Sequence, residues 1–270
     1  MSKIVFITGG SSGIGRSVGE YLTLQGCKVY GTSRNPERVV DSKIPLVCLD
    51  VRDTASIQAA IQEVIDIEGK IDVLINNAGV GITGPIEEIP AEHILNNFQT
   101  NVFGPIEVMK AVLPHMRSRK EGLIINVTSI AGYMGLPFRG IYSSSKGALE
   151  LITEALRMEL KPFNVEVTNV APGDFATNIA AGRYHAPVLE DSAYREVYQM
   201  SLDMMDEHVD SGGDPIEMAK AIHKVINTAK PKVRYKVGEP LQKFSLILKK
   251  ILPGKVYEKM LMNHYKIKGE

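Results

Sequence analysis

Residues 3–16 read KIVFITGGSSGIGR. The apolar run at 3–8 is rich in β-branched and aromatic side chains, which suits a short strand buried on both faces. It passes directly into Gly9-Gly10-Ser11-Ser12-Gly13-Ile14-Gly15, and a helix-like segment follows over 16–25. Glycines let a backbone approach a pyrophosphate closely, and the unpaired N–H groups at a helix start point at such an anion. A glycine-rich turn alone is most often a flexible connection. The strand before it and the helix after it are what make it a nucleotide signal.

The same alternation continues outward. A second strand over 27–33 ends in Ser33-Arg34, and a third over 45–49 is closed by Asp50-Val51. A helix over 54–67, with Ile57, Ala60, Ile61, Val64 and Ile65 on one face, precedes a fourth strand over 71–75. That strand runs into Asn76-Asn77-Ala78-Gly79. Residues 91–119 read as two helices broken at Gly104-Pro105, with Asn101 near the break. A fifth strand over 123–128 delivers Ser129, a helix carries Tyr142 and Lys146 to about 160, and a sixth strand over 165–170 leads to Pro172-Gly173. A short seventh strand is expected over 233–237. Strands and helices at this spacing predict an α/β fold: a single-domain, Rossmann-type, doubly wound parallel sheet of about seven strands with helices on both faces. Ligands of such sheets bind at the carboxyl ends of the strands, where these glycine, serine, asparagine and proline-glycine clusters lie.

In dinucleotide folds an acidic residue after the second strand takes the ribose hydroxyls, whereas arginine accommodates a 2′-phosphate. Ser33-Arg34 offers no acid, which argues for NADP(H) over NAD(H). Arg34 beginning a solvated turn ahead of Asn35-Pro36 is the plainer alternative.

Composition narrows the classes. The chain has 270 residues, 44% hydrophobic and 23% charged, with a formal net charge of zero, so no overall basic field argues for nucleic acid. Cys27 and Cys48 sit in short apolar runs and read as reduced, buried thiols of an intracellular protein. No clustered His or Cys suggests a metal site. The N-terminus lacks the pattern of a signal peptide, and a cytoplasmic location is expected.

Residues 129–146 read SIAGYMGLPFRGIYSSSK. On a helix, Tyr142 and Lys146 share a face. An ammonium ~5 Å from a phenol in an effective dielectric of ~20 stabilises the phenolate by roughly 3 kcal/mol. Such a phenol can exchange protons with a substrate oxygen. Taken alone the pair reads more readily as an ordinary surface pair, since Tyr and Lys at this spacing are common.

With these residues in hand, about 3–237 resembles the classical short-chain dehydrogenase/reductase family. The family's cofactor turn is matched by Thr8-Gly9, Gly13, Ile14 and Gly15, its sheet-stabilising NNAG by residues 76–79, and its active-site asparagine by Asn101. Its Ser, Tyr and Lys are matched by Ser129, Tyr142 and Lys146, and its Pro-Gly by Pro172-Gly173, with Thr177 where a threonine holds the nicotinamide carboxamide. Packing stretches at 132–138, 159–167 and 233–238 look like the 17β-hydroxysteroid and retinol dehydrogenase-like subgroup.

The resemblance implies oxidoreduction between a secondary alcohol and a carbonyl. Asn101, Ser129, Tyr142 and Lys146 would be catalytic. The cofactor would be held by Gly9, Ser11, Ser12, Gly13, Ile14, Gly15, Ser33, Arg34, Asp50, Val51, Asn77, Ala78, Gly79, Asn101, Tyr142, Lys146, Pro172, Gly173 and Thr177. A non-catalytic dinucleotide-binding sensor or scaffold is the alternative, but such proteins commonly lose the Tyr or Lys kept here. An isomerase, epimerase or dehydratase on the same fold is a further one. The resemblance also implies a homodimer or homotetramer.

Two segments fall outside the alternation. Residues 174–213 are expected to form a substrate lid on a domain spanning 1–238. Phe175, Ile179, Tyr184, Val188 and Leu189, with Met134 and Phe138 nearby, suggest an apolar pocket for a steroid-, retinoid- or lipid-like substrate. The basic C-terminal extension, 239–270, reads as helices with Leu241, Phe244, Leu248 and Ile251 at helical spacing. Packing on the domain is the plainer reading. Contact with an anionic membrane surface, giving a membrane-associated protein, or with another subunit is the sharper one.

Overall fold

The protein is described by a computed structural model covering residues 2–175, 182–210 and 213–267. In chain order the first half contains β1 (Ile4–Ile7), α1 (Gly13–Leu24), β2 (Lys28–Ser33), β3 (Leu46–Cys48), α2 (Thr54–Glu68), β4 (Val73–Asn76) and β5 (Ile82–Thr83). Then come α3 (Ala91–Phe98), a π-helical turn at Gln99–Phe103, α4 (Gly104–Arg119), β6 (Gly122–Val127), α5 (Gly140–Glu159) and β7 (Val165–Pro172). Beyond these lie β8 (Tyr184–His185), α6 (Arg195–Asp210), α7 (Pro215–Ile226), β9 (Arg234–Val237), α8 (Pro240–Ile251) and α9 (Gly254–His264).

Seven strands form one parallel sheet in the order β3-β2-β1-β4-β6-β7-β9. The chain winds one way from β1 and the other way from β4, so the crevice opens between those two strands. Period-two alternation explains how the sheet is covered. Ile4 and Phe6 of β1 pack with α2, α4 and α5, whereas Val5 and Ile7 pack with α1 and α7. Full coverage is why these strands read as unbroken apolar runs rather than alternating ones.

Where α3 meets α4 the expected break is a widened turn instead of a gap. Pro105 has no N–H to offer the Asn101 carbonyl four residues earlier, and the chain passes through a π-turn rather than stopping.

The expected lid has structure that the sequence pattern did not reveal. β5 and β8 pair in parallel, Ile82 with Tyr184 and Thr83 with His185, tying the segment to the loop after β4. α6 lies over it with Tyr198 buried, its hydroxyl donating to the Ala186 carbonyl at 2.9 Å. Phe138, Tyr184 and Val188 pack into this small cluster with Ile82, Ile89 and Tyr198, and Met134 packs under the C-terminal helices. The apolar pocket they suggested is therefore mostly satellite core. Phe175 alone of the described set lines the cavity beside Ser129 and Tyr142, and Ile179 lies outside the described residues.

Two further expectations need correction. Cys48 is exposed and Cys27 half-buried, because both sit at strand ends where the apolar runs meet solvent. The membrane contact expected of the C-terminal extension, and with it membrane association, is withdrawn. Among the described residues no helix is long and apolar enough to cross a membrane. α8 and α9 instead turn Leu246 and Tyr257 inward onto Met134, whose sulfur accepts a hydrogen bond from Tyr257 at 3.0 Å. Leu241, Phe244 and Ile251 face outward.

Candidate active site

The turn after β1 is shaped for an anion. Gly9 has φ +67° and Gly13 φ +52°, conformations that side chains resist. A β-carbon on Gly15 would stand 2.1 Å from the Gly9 carbonyl oxygen, so only glycine lets α1 begin this close to the turn. Ser12 at the start of α1 makes no capping hydrogen bond, which leaves the first-turn N–H groups for a ligand. Thr8 Oγ1 accepts from the backbone N–H of Asn77 at 3.0 Å and of Ala78 at 3.1 Å. Asn77 Nδ2 donates back to the Thr8 and Gly9 carbonyls, each at 3.1 Å. These bonds lock the two sides of the crevice together.

A groove of about 410 Å³ runs along the strand ends. It brings together Gly9, Ser11, Ser12, Gly13 and Ile14 with Ser33 and Arg34, with Asp50 and Val51, and with Asn77, Ala78 and Gly79. Gly15 shapes the turn from behind and does not line the groove. Arg52 was not foreseen. It grips Asp50, with Nη2 to Oδ2 at 2.9 Å, and reaches Asn96 Oδ1 at 3.0 Å. Its hydrogen bonds hold the Asp50 carboxyl below the usual range.

A smaller cavity of about 70 Å³ adjoins the groove across Ile14, Asn77, Gly79 and Val80. Ser129, Tyr142, Lys146, Pro172 and Gly173 line it. Thr177 lies outside the described residues. Ser129 leaves β6 in extended conformation, and its Oγ accepts from the Ala131 N–H at 3.2 Å. That bond fixes the oxygen and leaves its proton to donate. Lys146 is buried and donates to the Val127 carbonyl at 3.1 Å, with two N–H bonds to spare. Burial pushes its pKa down, while Tyr142 and Glu150 oppose that by favouring the ammonium.

Asn101 sits behind this cavity rather than in its lining. It is fully buried, its Nδ2 donating to the Val80 carbonyl at 2.9 Å and to Ser145 Oγ at 3.2 Å, its Oδ1 accepting from the Val80 N–H at 2.9 Å. A β-carbon on Gly79 would meet Asn101 Oδ1 at 3.2 Å and Lys146 Nζ at 3.3 Å, so both side chains converge on that glycine.

Glu150, one turn beyond Lys146, was also missed. It is 3% exposed and holds four elements together. Its carboxylate accepts from Thr128 Oγ1 at 2.5 Å, from Asn169 Nδ2 at 2.9 Å and from Arg234 Nε at 2.9 Å. Its sequence signal is helical spacing, since Tyr142, Lys146, Glu150 and Glu154 recur every four residues. Glu150→Leu should cost about 3 kcal/mol of stability, because it takes the carboxylate partner from the buried Asn169 and Thr128 and leaves Arg234 with Glu154 as its remaining ion-pair partner. Urea unfolding reads this directly, and an unchanged midpoint would contradict it.

These features fit a nicotinamide dinucleotide: a helix start open to a pyrophosphate, a long groove, and a cavity at its end holding a hydroxyl, a phenol and an ammonium. Residues 3–187 match the short chain dehydrogenase family. A 3-ketodihydrosphingosine reductase of Bacteroides thetaiotaomicron is 38% identical over 267 residues, 98% of this chain and 99% of that protein. The chain belongs to the short-chain dehydrogenase family.

An NADPH-dependent 3-dehydrocapnine reductase of Ornithobacterium rhinotracheale is 31% identical over 98% of each chain. The crystal structure of a short-chain dehydrogenase from Streptomyces avermitilis superposes with a TM-score of 0.84 at 31% identity, covering 99% of this chain and 98% of that one. Cofactor-bound structures divide. ElxO, 26% identical with a TM-score of 0.69 over 87% of this chain and 98% of that one, holds NADP. A short-chain dehydrogenase from Burkholderia phymatum, 25% identical with a TM-score of 0.78 over 92% and 93%, holds NAD. As a short-chain dehydrogenase the protein is an NAD(P)-dependent oxidoreductase acting between CH–OH and carbonyl groups.

Proposed function

We propose that the protein uses NADPH to reduce the ketone of a lipid-like α-amino ketone, of which 3-ketodihydrosphingosine is an example. The observation that carries this is the complete Ser129, Tyr142 and Lys146 set in one cavity, in a chain aligned end to end with a reductase of that ketone. This narrows the expected steroid-, retinoid- or lipid-like substrate to the lipid-like one, with a charged head. NADPH is favoured because Arg34 lines the groove at the end of β2, flanked in sequence by Ser33 and Asn35 and not by an acid, while the nearby Asp50 is engaged by Arg52. One aligned relative is named as NADPH-dependent.

The bound dinucleotide supplies a hydride to the carbonyl carbon. Tyr142 gives its proton to the carbonyl oxygen, so one ketone, one hydride and one proton become one alcohol. Ser129 donates a hydrogen bond to the same oxygen as negative charge develops on it. Lys146 stabilises the phenolate left on Tyr142. The Asn101 carbonyl, denied an N–H by Pro105, is available to a water that returns a proton through Lys146. A homodimer or homotetramer belongs to the same reading, and Leu151 and Met158 leave apolar side chains exposed on α5.

Arg34→Ala is expected to weaken NADPH binding by about tenfold or more and NADH binding far less, since one charge-assisted contact is lost only with the 2′-phosphate. Fluorescence titration of both cofactors reads this, and equal losses would remove Arg34 as the phosphate reader. The substrate reading is tested by following NADPH absorbance with 3-ketodihydrosphingosine beside steroid, retinoid and simple aliphatic carbonyls. Preference for a steroid or retinoid carbonyl would overturn it.

A further inference from the structure

The catalytic cavity contains charge that the reduction itself does not use. Arg139, Asp174 and Arg183 all line it together with Ser129 and Tyr142. The Arg139 guanidinium carbon lies 5.4 Å from the centre of the Tyr142 ring, which puts a cation beside the phenol that meets the carbonyl. Asp174 follows Pro172-Gly173 at the end of β7. Arg139 and Asp174 are not ion-paired to each other among the described contacts. Two opposite charges kept apart in one cavity are poorly explained as a structural bridge.

The C-terminal helices hold Asp174 and place a buried phenol beside both groups. Gln242 of α8 donates from Nε2 to Asp174 Oδ2 at 2.9 Å, which leaves the carboxylate capacity to accept more. Tyr265, just past α9, is 7% exposed and faces both groups. Burial pushes its phenol up, Arg139 opposes the rise, and Asp174 adds to it. The extension thus reaches back to the catalytic centre and fixes its charged end.

We propose that Arg139 and Asp174, the latter fastened by Gln242 and both beside Tyr265, form a head-group subsite for a substrate carrying an ammonium and, best, an acidic group beside the ketone. The inference rests on the carbonyl-reduction reading and deepens it: Asp174 serves the ammonium of any such amino ketone, 3-ketodihydrosphingosine included, and Arg139 adds affinity for a head that also carries an acidic group. Asp174 accepts from the ammonium. Arg139 donates to the acidic group through its planar fork, with Arg183 adding positive charge to the same cavity. The aliphatic chain extends away from this charged end.

Binding separates this from turnover. The full-length protein, saturated with NADP⁺, is titrated calorimetrically with three medium-chain probes: a β-amino sulfonate, a β-amino alcohol and a plain primary alcohol. The sulfonate keeps its charge at every working pH. The expected order of affinity is amino sulfonate, then amino alcohol, then plain alcohol. Arg139→Ala should weaken the amino sulfonate by about tenfold and the other two much less. Asp174→Asn should weaken both amines by about tenfold and spare the plain alcohol. Arg139→Lys, which keeps the charge and the fold but loses the fork, should fall between wild type and Ala for the sulfonate. Equal losses for all three probes would mean that Arg139 merely seats the Tyr142 ring, and would overturn the subsite. So would a wild type that binds the plain alcohol as tightly as the amino sulfonate. A protein that shows the expected order yet reduces no amino ketone would retain the subsite and lose the reductase reading.

Discussion

Tyr142→Phe is expected to lower kcat for ketone reduction by about 10³-fold while NADPH binds within about twofold of wild type. The phenol is the one group in the cavity whose proton can follow the hydride. Ser129 holds its own oxygen on the Ala131 N–H and polarises, whereas Lys146 faces the Val127 carbonyl. Phenylalanine keeps the ring beneath Arg139 and so keeps the cavity's shape. The loss should therefore fall on kcat and barely on cofactor affinity. Single-turnover absorbance measurements separate the two, and a kcat within about tenfold of wild type would remove Tyr142 from the acid role.

Lys146→Met has the second largest expected effect, a fall in kcat of about 10²-fold, and it carries a stability signature. Burial depresses the Lys146 pKa. The native state therefore releases this proton at a lower pH than the unfolded chain, whose lysine titrates near ~10.4. Between the two values the unfolded chain holds more protons, so this residue makes stability rise with pH across that window. Below the window the buried ammonium opposes folding. Methionine fills the same space without charge, so the variant should be more stable at neutral pH and should lose that part of the slope. Urea midpoints measured from neutral to alkaline pH test this. Activity should move the opposite way in wild type, falling as pH climbs through the depressed value and the ammonium is lost. An identical pH slope of stability in wild type and variant would contradict the assignment.

Much of this arrangement was legible from local rules. The glycine turn is decided by backbone geometry, which leaves its mark residue by residue at Gly9, Gly13 and Gly15. The parallel sheet follows from buried strands alternating with amphipathic helices. Tyr142 and Lys146 share a helix face by arithmetic alone. What stayed hidden depends on long-range packing. Glu150 looks like any polar helix residue until Arg234, more than eighty positions later in sequence, arrives on β9 to meet it. Arg139 and Asp174 lie in loops, where no periodicity says which way a side chain turns, and Tyr265 reaches them only because α8 and α9 fold back. The same folding back misled the reading of α8. Of its apolar spacing at Leu241, Phe244, Leu248 and Ile251, only Leu248 joins the packing around Met134, where Leu246 is the buried contact and the other three face outward. Most of the apolar lid side chains are taken up by packing for a related reason, and of the described ones only Phe175 lines the cavity. Phe138, Tyr184 and Val188 pack around Tyr198, while Phe175 shares the cavity with Arg139 and Asp174.

The central claim is that this cavity passes a hydride and a Tyr142 proton to a ketone. The most direct test supplies NADPH deuterated at the transferred position together with 3-ketodihydrosphingosine, and examines the product by mass spectrometry. The alcohol should appear with a single deuterium on the carbon that bore the ketone, and Tyr142→Phe should yield almost none. Recovery of unchanged ketone with the wild-type protein, or an alcohol without deuterium, would contradict the account.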